Sequence, residues 1–423
     1  MHDRSARHAL LKSDLEQLAI FGGPPLFKTE LHVGRPNIGN RQRFLARVAD
    51  ILNRKWLTND GPCLKEFESR VCELIDVKHC IAVCNATAGL EVLVKSLRLS
   101  GEIILPSFTF VATAHALQWL GVRPVFCDID PTTHNLDPKA AAELINPRTS
   151  AIIGVHLWGR PCDVEALVDL ARRHKLRLLF DAAHAFACSH KGRMVGGFGD
   201  AEIFSFHATK FINTFEGGAV VTNKDELASR LRLMRNFGFA GLDNVSALGV
   251  NAKMNEISAA MGLVSLESLA EFVEINRANY HLYRQHLSTV PGVSLLAYNE
   301  KEKCNYQYVV LEVDQAETGI DRDMLDEILW SENVLTRRYF YPGCHRMEPY
   351  RSNDPDAGQR LRHTGAIAER VLCLPTGSAV AAAEIAAICG LIEFIVKSGP
   401  AIKNRMLSGP TCRHHLRRST PAR

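Results

Sequence analysis

Several short apolar runs in this chain end on residues that could do chemistry. Arg177–Phe180 leads into Asp181-Ala182-Ala183-His184. Glu202–Phe206 contains Ser205 and leads into His207-Ala208-Thr209-Lys210, then a loop that closes on Glu216-Gly217-Gly218. Cys80–Cys84 is followed by Asn85-Ala86-Thr87-Ala88-Gly89, a small-residue turn that opens a helix. Ile103–Leu105 is followed by Pro106-Ser107-Phe108-Thr109-Phe110. Singly these are ordinary: an Asp after a strand often caps a helix, and most lysines are solvated. Together they offer an amine, a carboxylate, an aromatic plate and an anion site at a helix N-terminus.

The elements that must position them form a repeated pattern. The runs Cys80–Cys84, Ile103–Leu105, Pro124–Cys127, Ala151–His156, Arg177–Phe180, Glu202–Phe206 and Gly218–Thr222 are short and rich in Val, Ile, Leu and Phe. Such runs suit strands buried on both faces. Segments between them, such as Asp163–Lys175, have helical periodicity. The expectation is an α/β fold with a mostly parallel seven-stranded sheet and flanking helices. Ligands then bind at the carboxyl ends of the strands. Helices are expected over Arg41–Asn53 and after Gly61-Pro62, and one long helical segment over Asn255–Leu287. Beyond Pro291-Gly292 the pattern changes, with a strand at Tyr306–Asp314 and helices at Asp321–Glu332 and Ala379–Lys397. The domain expectation is a loose N-terminal lead-in over 1–30, a large α/β domain with its linking helix over 31–287, a smaller α+β domain over 288–400, and a basic, disordered tail over 401–423.

Pyridoxal phosphate needs the inventory at the strand ends: an amine for its aldehyde, a carboxylate for its ring nitrogen, donors for its phosphate and a flat partner for its ring. The segments FSFHATKFINTFEGGAVVT (204–222), FDAAHAFA (180–187), PSFTFVAT (106–113), VFCDIDPTTHNLD (125–137) and GVNAKMNEISAAMG (249–262) resemble the DegT/DnrJ/StrS family of sugar aminotransferases, of fold type I, and run in family order. The resemblance implies that Lys210 holds the cofactor and shuttles the proton. It implies that Asp181 pairs with the ring nitrogen, with Ala183 against one ring face and Phe110 on the other. His184 falls near the cofactor's phenolic oxygen. Thr87, Ala88 and Ser205 fall at its phosphate. Asn251 matches an asparagine that reaches the neighbouring subunit's phosphate, which implies a homodimer with shared sites. Tyr341 and His345 lie in a segment that resembles the family's Pro-x-x-His…Pro-Tyr region, near substrate. The implied reaction moves an amino group from an amino acid, glutamate by resemblance, to a keto carbon of a nucleotide-linked deoxysugar. The HATK…NTFEGG stretch most resembles members acting on dTDP-linked 4-keto-6-deoxyhexoses.

Two other readings compete. One is a sugar dehydratase on the same cofactor, but such relatives carry His where this chain has Lys210. The other is a non-catalytic regulatory protein on the same fold, which decay of the chemical residues would favour; Lys210, Asp181, Ser205 and Thr87 are all present.

Composition excludes several classes. With 423 residues, 46% hydrophobic and 23% charged, the chain is neither disordered nor low-complexity. Its net charge of +4 belongs to the end: residues 401–423 hold six Lys and Arg and no acid, so the rest is close to neutral. No broad basic footprint for nucleic acid follows. The 12 cysteines form no CxxC pair, so no zinc ribbon or other metal site is expected. The most apolar late stretch is broken by Glu384 and Glu393, against a membrane span. The expected setting is the reducing cytoplasm.

Overall fold

The computed structural model describes residues 12–408. Seven strands form the central sheet: β1 (His79–Val83), β2 (Glu102–Pro106), β3 (Arg123–Cys127), β4 (Thr149–Val155), β5 (Arg177–Asp181), β6 (Ala201–Ser205) and β7 (Gly218–Thr222). Their spatial order is β1-β7-β6-β5-β4-β2-β3. Only β7 is antiparallel to its neighbours. The carboxyl ends of six strands and the amino end of β7 therefore share one edge.

Alternate residues of these strands enter two different cores. Ile81, Val83, Ile103, Leu105, Ile153, Ile203 and Val220 pack on one face. Cys80, Ala82, Ile104, Ile152, Phe180, Phe204 and Val221 pack on the other. The two-residue period puts apolar groups on both sides of each strand. That is why the runs read as continuous.

Three helices set the geometry of the edge. α1 (Arg41–Arg54) begins at Asn40, whose side chain accepts the Arg43 N–H. α2 (Pro62–Ile75) starts with proline at its first position and places Leu64, Phe67, Val71 and Ile75 inward. The buried Glu256 carboxylate accepts the N–H groups of Cys63 and Leu64 at its start, where the helix dipole favours an anion. α3 (Ala86–Ser96) opens directly after β1, with the Asn85 side chain accepting the Ala88 N–H. Gly218 lets β7 pass this turn: a Cβ there would lie 2.7 Å from the Ala86 nitrogen.

A second body follows. Its sheet is β8 (Val293–Leu295), β9 (Val309–Val313) and β10 (Val371–Leu374), antiparallel in that order. The expected strand over 306–314 is thus shorter, leaving Tyr306-Gln307-Tyr308 as an approach segment. The expected single helix over 255–287 is two, Glu256–Glu267 and Leu269–Leu287, broken at Ser268.

The ends depart from expectation. Residues 12–30 are not a loose lead-in. Leu18 is fully buried, and with Phe27 it joins the core of the small sheet. Leu31–His32 pairs in parallel with Val334–Leu335. The buried Glu332 carboxylate accepts the N–H groups of Ala19 and Leu26 and pairs with Lys12. Nor is the start of the tail disordered: Gly399–Ser408 is helical. Arg405 within it pairs with Glu16 and lies on the Phe21 ring. The remainder of the expected tail, 409–423, lies outside the described residues. No single described helix is long and apolar enough to cross a membrane; Ala382–Lys397 and Gly399–Ser408 pass only as a pair bent by 76°.

Glu332→Ala should leave two partly buried N–H donors without their acceptor and remove the ion pair of Lys12, which keeps its bonds to the Gln17 and Pro24 carbonyls. The expected loss is about 3 kcal/mol in urea unfolding, with faster proteolysis within residues 12–26.

Candidate active site

At the shared edge lies a cleft of about 420 Å³. Its lining brings together Thr87, Phe110, Asp181, Ala183, His184, Ser205 and Lys210. These seven come from four separate stretches of chain.

Lys210 follows β6 by five residues, on a turn closed by its own N–H to the His207 carbonyl, 2.8 Å. The residue is half-buried in the cleft, and burial pushes the pKa of its amine down to about 8, while the Asp181 carboxylate opposes the shift. An amine with that affinity can serve as nucleophile and as base near neutrality. Asp181 ends β5. Burial raises its pKa, and two hydrogen bonds work against that. Thr113 Oγ1 donates to Asp181 Oδ2 at 2.8 Å, and the Ala183 N–H donates to Oδ1 at 3.1 Å. Thr113 also lies 3.2 Å from the Thr109 hydroxyl. The Phe110 carbonyl is a second acceptor within reach of Thr113 Oγ1, at 3.1 Å; with the single Thr113 proton on the shorter bond to Asp181, Thr109 donates to Thr113.

His184 is buried, and burial holds its pKa well below the ordinary value, with Lys210 adding to the effect. Its Nδ1 accepts the Trp158 N–H at 3.3 Å, so the proton of the neutral ring sits on Nε2. Trp158 and Phe340 stack on the imidazole, at 6.0 and 5.8 Å between centroids. Phe110 is 58% exposed, a large apolar ring left open to the cleft. At the first turn of α3, Ala86 and Thr87 line the cleft with Ser205 beside them. This is a helix N-terminus with hydroxyl donors, suited to a phosphate.

Three expected residues, Ala88, Tyr341 and His345, lie away from the lining, as does Asn251, which was expected at a neighbouring subunit's phosphate. The Ala88 N–H is already given to Asn85, and Ala86 takes its place at the cleft. Asn251 is exposed and bridges to Asn236 outside the cleft. Tyr341 lies outside the lining, with the guanidinium groups of Arg322 and Arg338 5.2 and 4.7 Å from its ring. That is a cation–π contact, which needs no substrate. His345 is buried, and its Nδ1 lies 2.7 Å from the Ser107 hydroxyl, which also accepts the His345 N–H. Burial pushes its pKa down to about 4. It staples the 340s loop to the end of β2.

His207 and Glu216, from the stretch after β6, also line the cleft. Tyr308, Arg337, Tyr339 and Phe340 line it too, and the strand ends do not reveal them. Thr113, the last residue of PSFTFVAT, carried a signal, since a hydroxyl so near an aromatic plate is available to a neighbouring carboxylate. Tyr308 and Arg337 carried none, because they enter from the second body.

The residues present fit pyridoxal phosphate: buried amine, buried ionisable carboxylate, neutral imidazole donor, open aromatic ring and helix N-terminus face one cleft. Fold and donor set together define a fold-type-I aminotransferase that uses this cofactor. Residues 39–393 match the DegT/DnrJ/EryC1/StrS aminotransferase family, and the chain belongs to it. It is a sugar aminotransferase. A dTDP-4-amino-4,6-dideoxy-D-glucose transaminase of Shigella dysenteriae is 35% identical over 90% of this chain and 99% of its own length. The GDP-perosamine synthase of Caulobacter vibrioides is 31% identical over 86% and 98%. The crystal structure of DesI in the presence of its TDP-sugar product is 49% identical, with a TM-score of 0.88 over 93% of this chain and 100% of that one.

Thr113→Val should leave Asp181 short of one charge-assisted bond and favour its protonation. Cofactor affinity should weaken about tenfold, from a bond of about 1.5 kcal/mol, read by absorbance titration of the cofactor-free protein. Thr113→Ser, which keeps the hydroxyl, should restore it.

Proposed function

We propose that this aminotransferase moves an amino group from an amino acid, glutamate in the first instance, to the C4 keto group of a dTDP-linked 6-deoxyhexose. The observation that carries the reading is the buried Lys210 amine facing the same cleft as Asp181. The substrate class is supported by the relatives named as dTDP-4-amino-4,6-dideoxy-D-glucose transaminases in Shigella dysenteriae and Escherichia coli and by the structure of DesI in the presence of its TDP-sugar product.

When bound, pyridoxal phosphate supplies an electron sink for the charge left as a C–H proton departs. The chain's own groups do the rest. Asp181, whose ionised form Thr113 and Ala183 favour, would hold the proton on the ring nitrogen. His184 Nε2–H would donate to the phenolic oxygen. Phe110 and Ala183 would hold the ring. Ala86, Thr87 and Ser205 would bind the phosphate. Lys210 Nζ takes the donor's proton as a neutral amine and returns it as an ammonium, in both halves of the reaction.

The reading includes a homodimer. Phe237, Phe239, Leu242, Leu248 and Val250 are exposed on the loop that carries Asn251, an apolar surface suited to a second copy. Asn251 is then placed to serve the partner's phosphate. Residues 31–287 act as the cofactor domain and 288–400 as the small domain, whose Tyr308 and Phe340 close the cleft. The 11 free cysteines among the described residues support a reducing cytoplasmic setting.

Incubated with glutamate and a panel of dTDP- and GDP-linked keto sugars, the protein should give a 4-amino product from the dTDP-4-keto-6-deoxyhexose, identified by mass and NMR. Lys210→Ala should lose at least about a thousandfold in kcat; a variant transaminating at the native rate would sink the reading. Sedimentation should give a dimer, and Asn251→Ala should weaken cofactor retention about tenfold without loss of the dimer.

A further inference from the structure

Lys210 must exist in two states that a buried site treats very differently. As a neutral amine it is cheap to bury. As an ammonium it loses its hydration and needs acceptors. Asp181 lowers the cost, but both of its oxygens already accept hydrogen bonds, and its partner is the ring nitrogen. Among the described residues, the one hydrogen bond made by Lys210 Nζ is to the Tyr308 hydroxyl, at 3.4 Å.

Tyr308 is built to stay there. It is 5% exposed. Its carbonyl accepts the Tyr298 hydroxyl at 2.8 Å. Its ring packs on His184 at 4.6 Å and edge-on to Trp158 at 5.4 Å. Burial holds its phenol pKa well above the ordinary value, so the hydroxyl remains neutral. A fixed neutral hydroxyl can accept from the ammonium and donate to the amine. The first bond is charge-assisted and roughly twice as strong as the second. The 3.4 Å separation is long, as catalytic contacts often are before the site is loaded.

We propose that Tyr308 is a further catalytic residue, whose hydroxyl holds the Lys210 amine whenever it is free of the cofactor and stabilises its ammonium form. The inference rests on Lys210 being the cofactor lysine. The donor's C–H bond breaks as an N–H bond forms at Nζ, its electron pair staying on the carbon side; no bond of Tyr308 changes. The proton taken from the donor carbon resides on Nζ, hydrogen-bonded to Tyr308, until it is delivered; Tyr308 itself neither gains nor loses one.

The other charged or titratable groups around the amine are Asp181, His184, His207, Glu216, Arg337 and Tyr339. Tyr308→Phe leaves all six in place and keeps the ring, so a change can be assigned to the hydroxyl. The test uses the full-length, cofactor-free protein. Lys210 is labelled with acetic anhydride across a pH series and its peptide quantified by mass spectrometry. The wild-type midpoint should fall near about 8, as burial dictates. In Tyr308→Phe it should fall lower, by about half a unit to one unit, since the stronger bond to the charged form is lost. In the loaded variant kcat should drop about tenfold while the KM for the keto sugar changes less than about twofold. An unchanged midpoint in a variant that still binds cofactor overturns the inference and leaves the functional reading intact. Failure of pyridoxal phosphate to shield wild-type Lys210 from labelling overturns both.

Discussion

The cost of holding the Lys210 amine and the Asp181 carboxylate out of water is the constraint that the rest of the site answers. Each group alone would be pushed toward its neutral form by burial, and facing one cleft they oppose each other's shift. The Thr109–Thr113–Asp181 chain and the Ala183 N–H supply donors that favour the ionised carboxylate and work against its burial. The pairing works because both groups sit where strands end. Reversal of β7 brings the loop after Lys210 back to the same edge, and the absent side chain of Gly218 lets that loop pass α3.

The cleft is walled by two bodies, and the contact between them is aromatic. Phe108, Trp158, Tyr308 and Phe340 belong to one cluster of buried groups drawn from both. Polar bonds fix its orientation. Trp158 Nε1–H reaches His134 Nδ1 at 3.4 Å, and His134 Nε2 lies 3.2 Å from Glu312 on β9. Trp158 in turn supplies the N–H that sets the tautomer of His184. The hydrogen-bond state of a cofactor-facing imidazole is thereby tied to the small sheet.

Much of the fold was legible because its strands are buried on both faces. Runs such as Ile152–Val155 then show no polar interruption, and their ends mark the edge where ligands bind. The errors came where a local pattern was polar but its partner was distant. Residues 12–30 contain Lys12 and Glu16, yet Lys12 is secured by a carboxylate 320 residues away. The segment 399–408 is held partly by Arg405 against Glu16 and Phe21. His345 sits among substrate-like residues, but Ser107 consumes its hydrogen bond.

The order and types of residues at the strand ends determined the class of cofactor and singled out Lys210 and Asp181 as the candidates for its lysine and carboxylate. An amine, a carboxylate and a helix-opening turn at the carboxyl ends of strands that run the same way in one sheet converge on one edge. Tertiary structure alone decided which N–H groups of the α3 turn remain free, since Asn85 takes that of Ala88, and which hydroxyl meets the Lys210 amine. Tyr308 is 98 residues from Lys210 in the chain, and no period or spacing in the sequence encodes a contact made by packing one body against another.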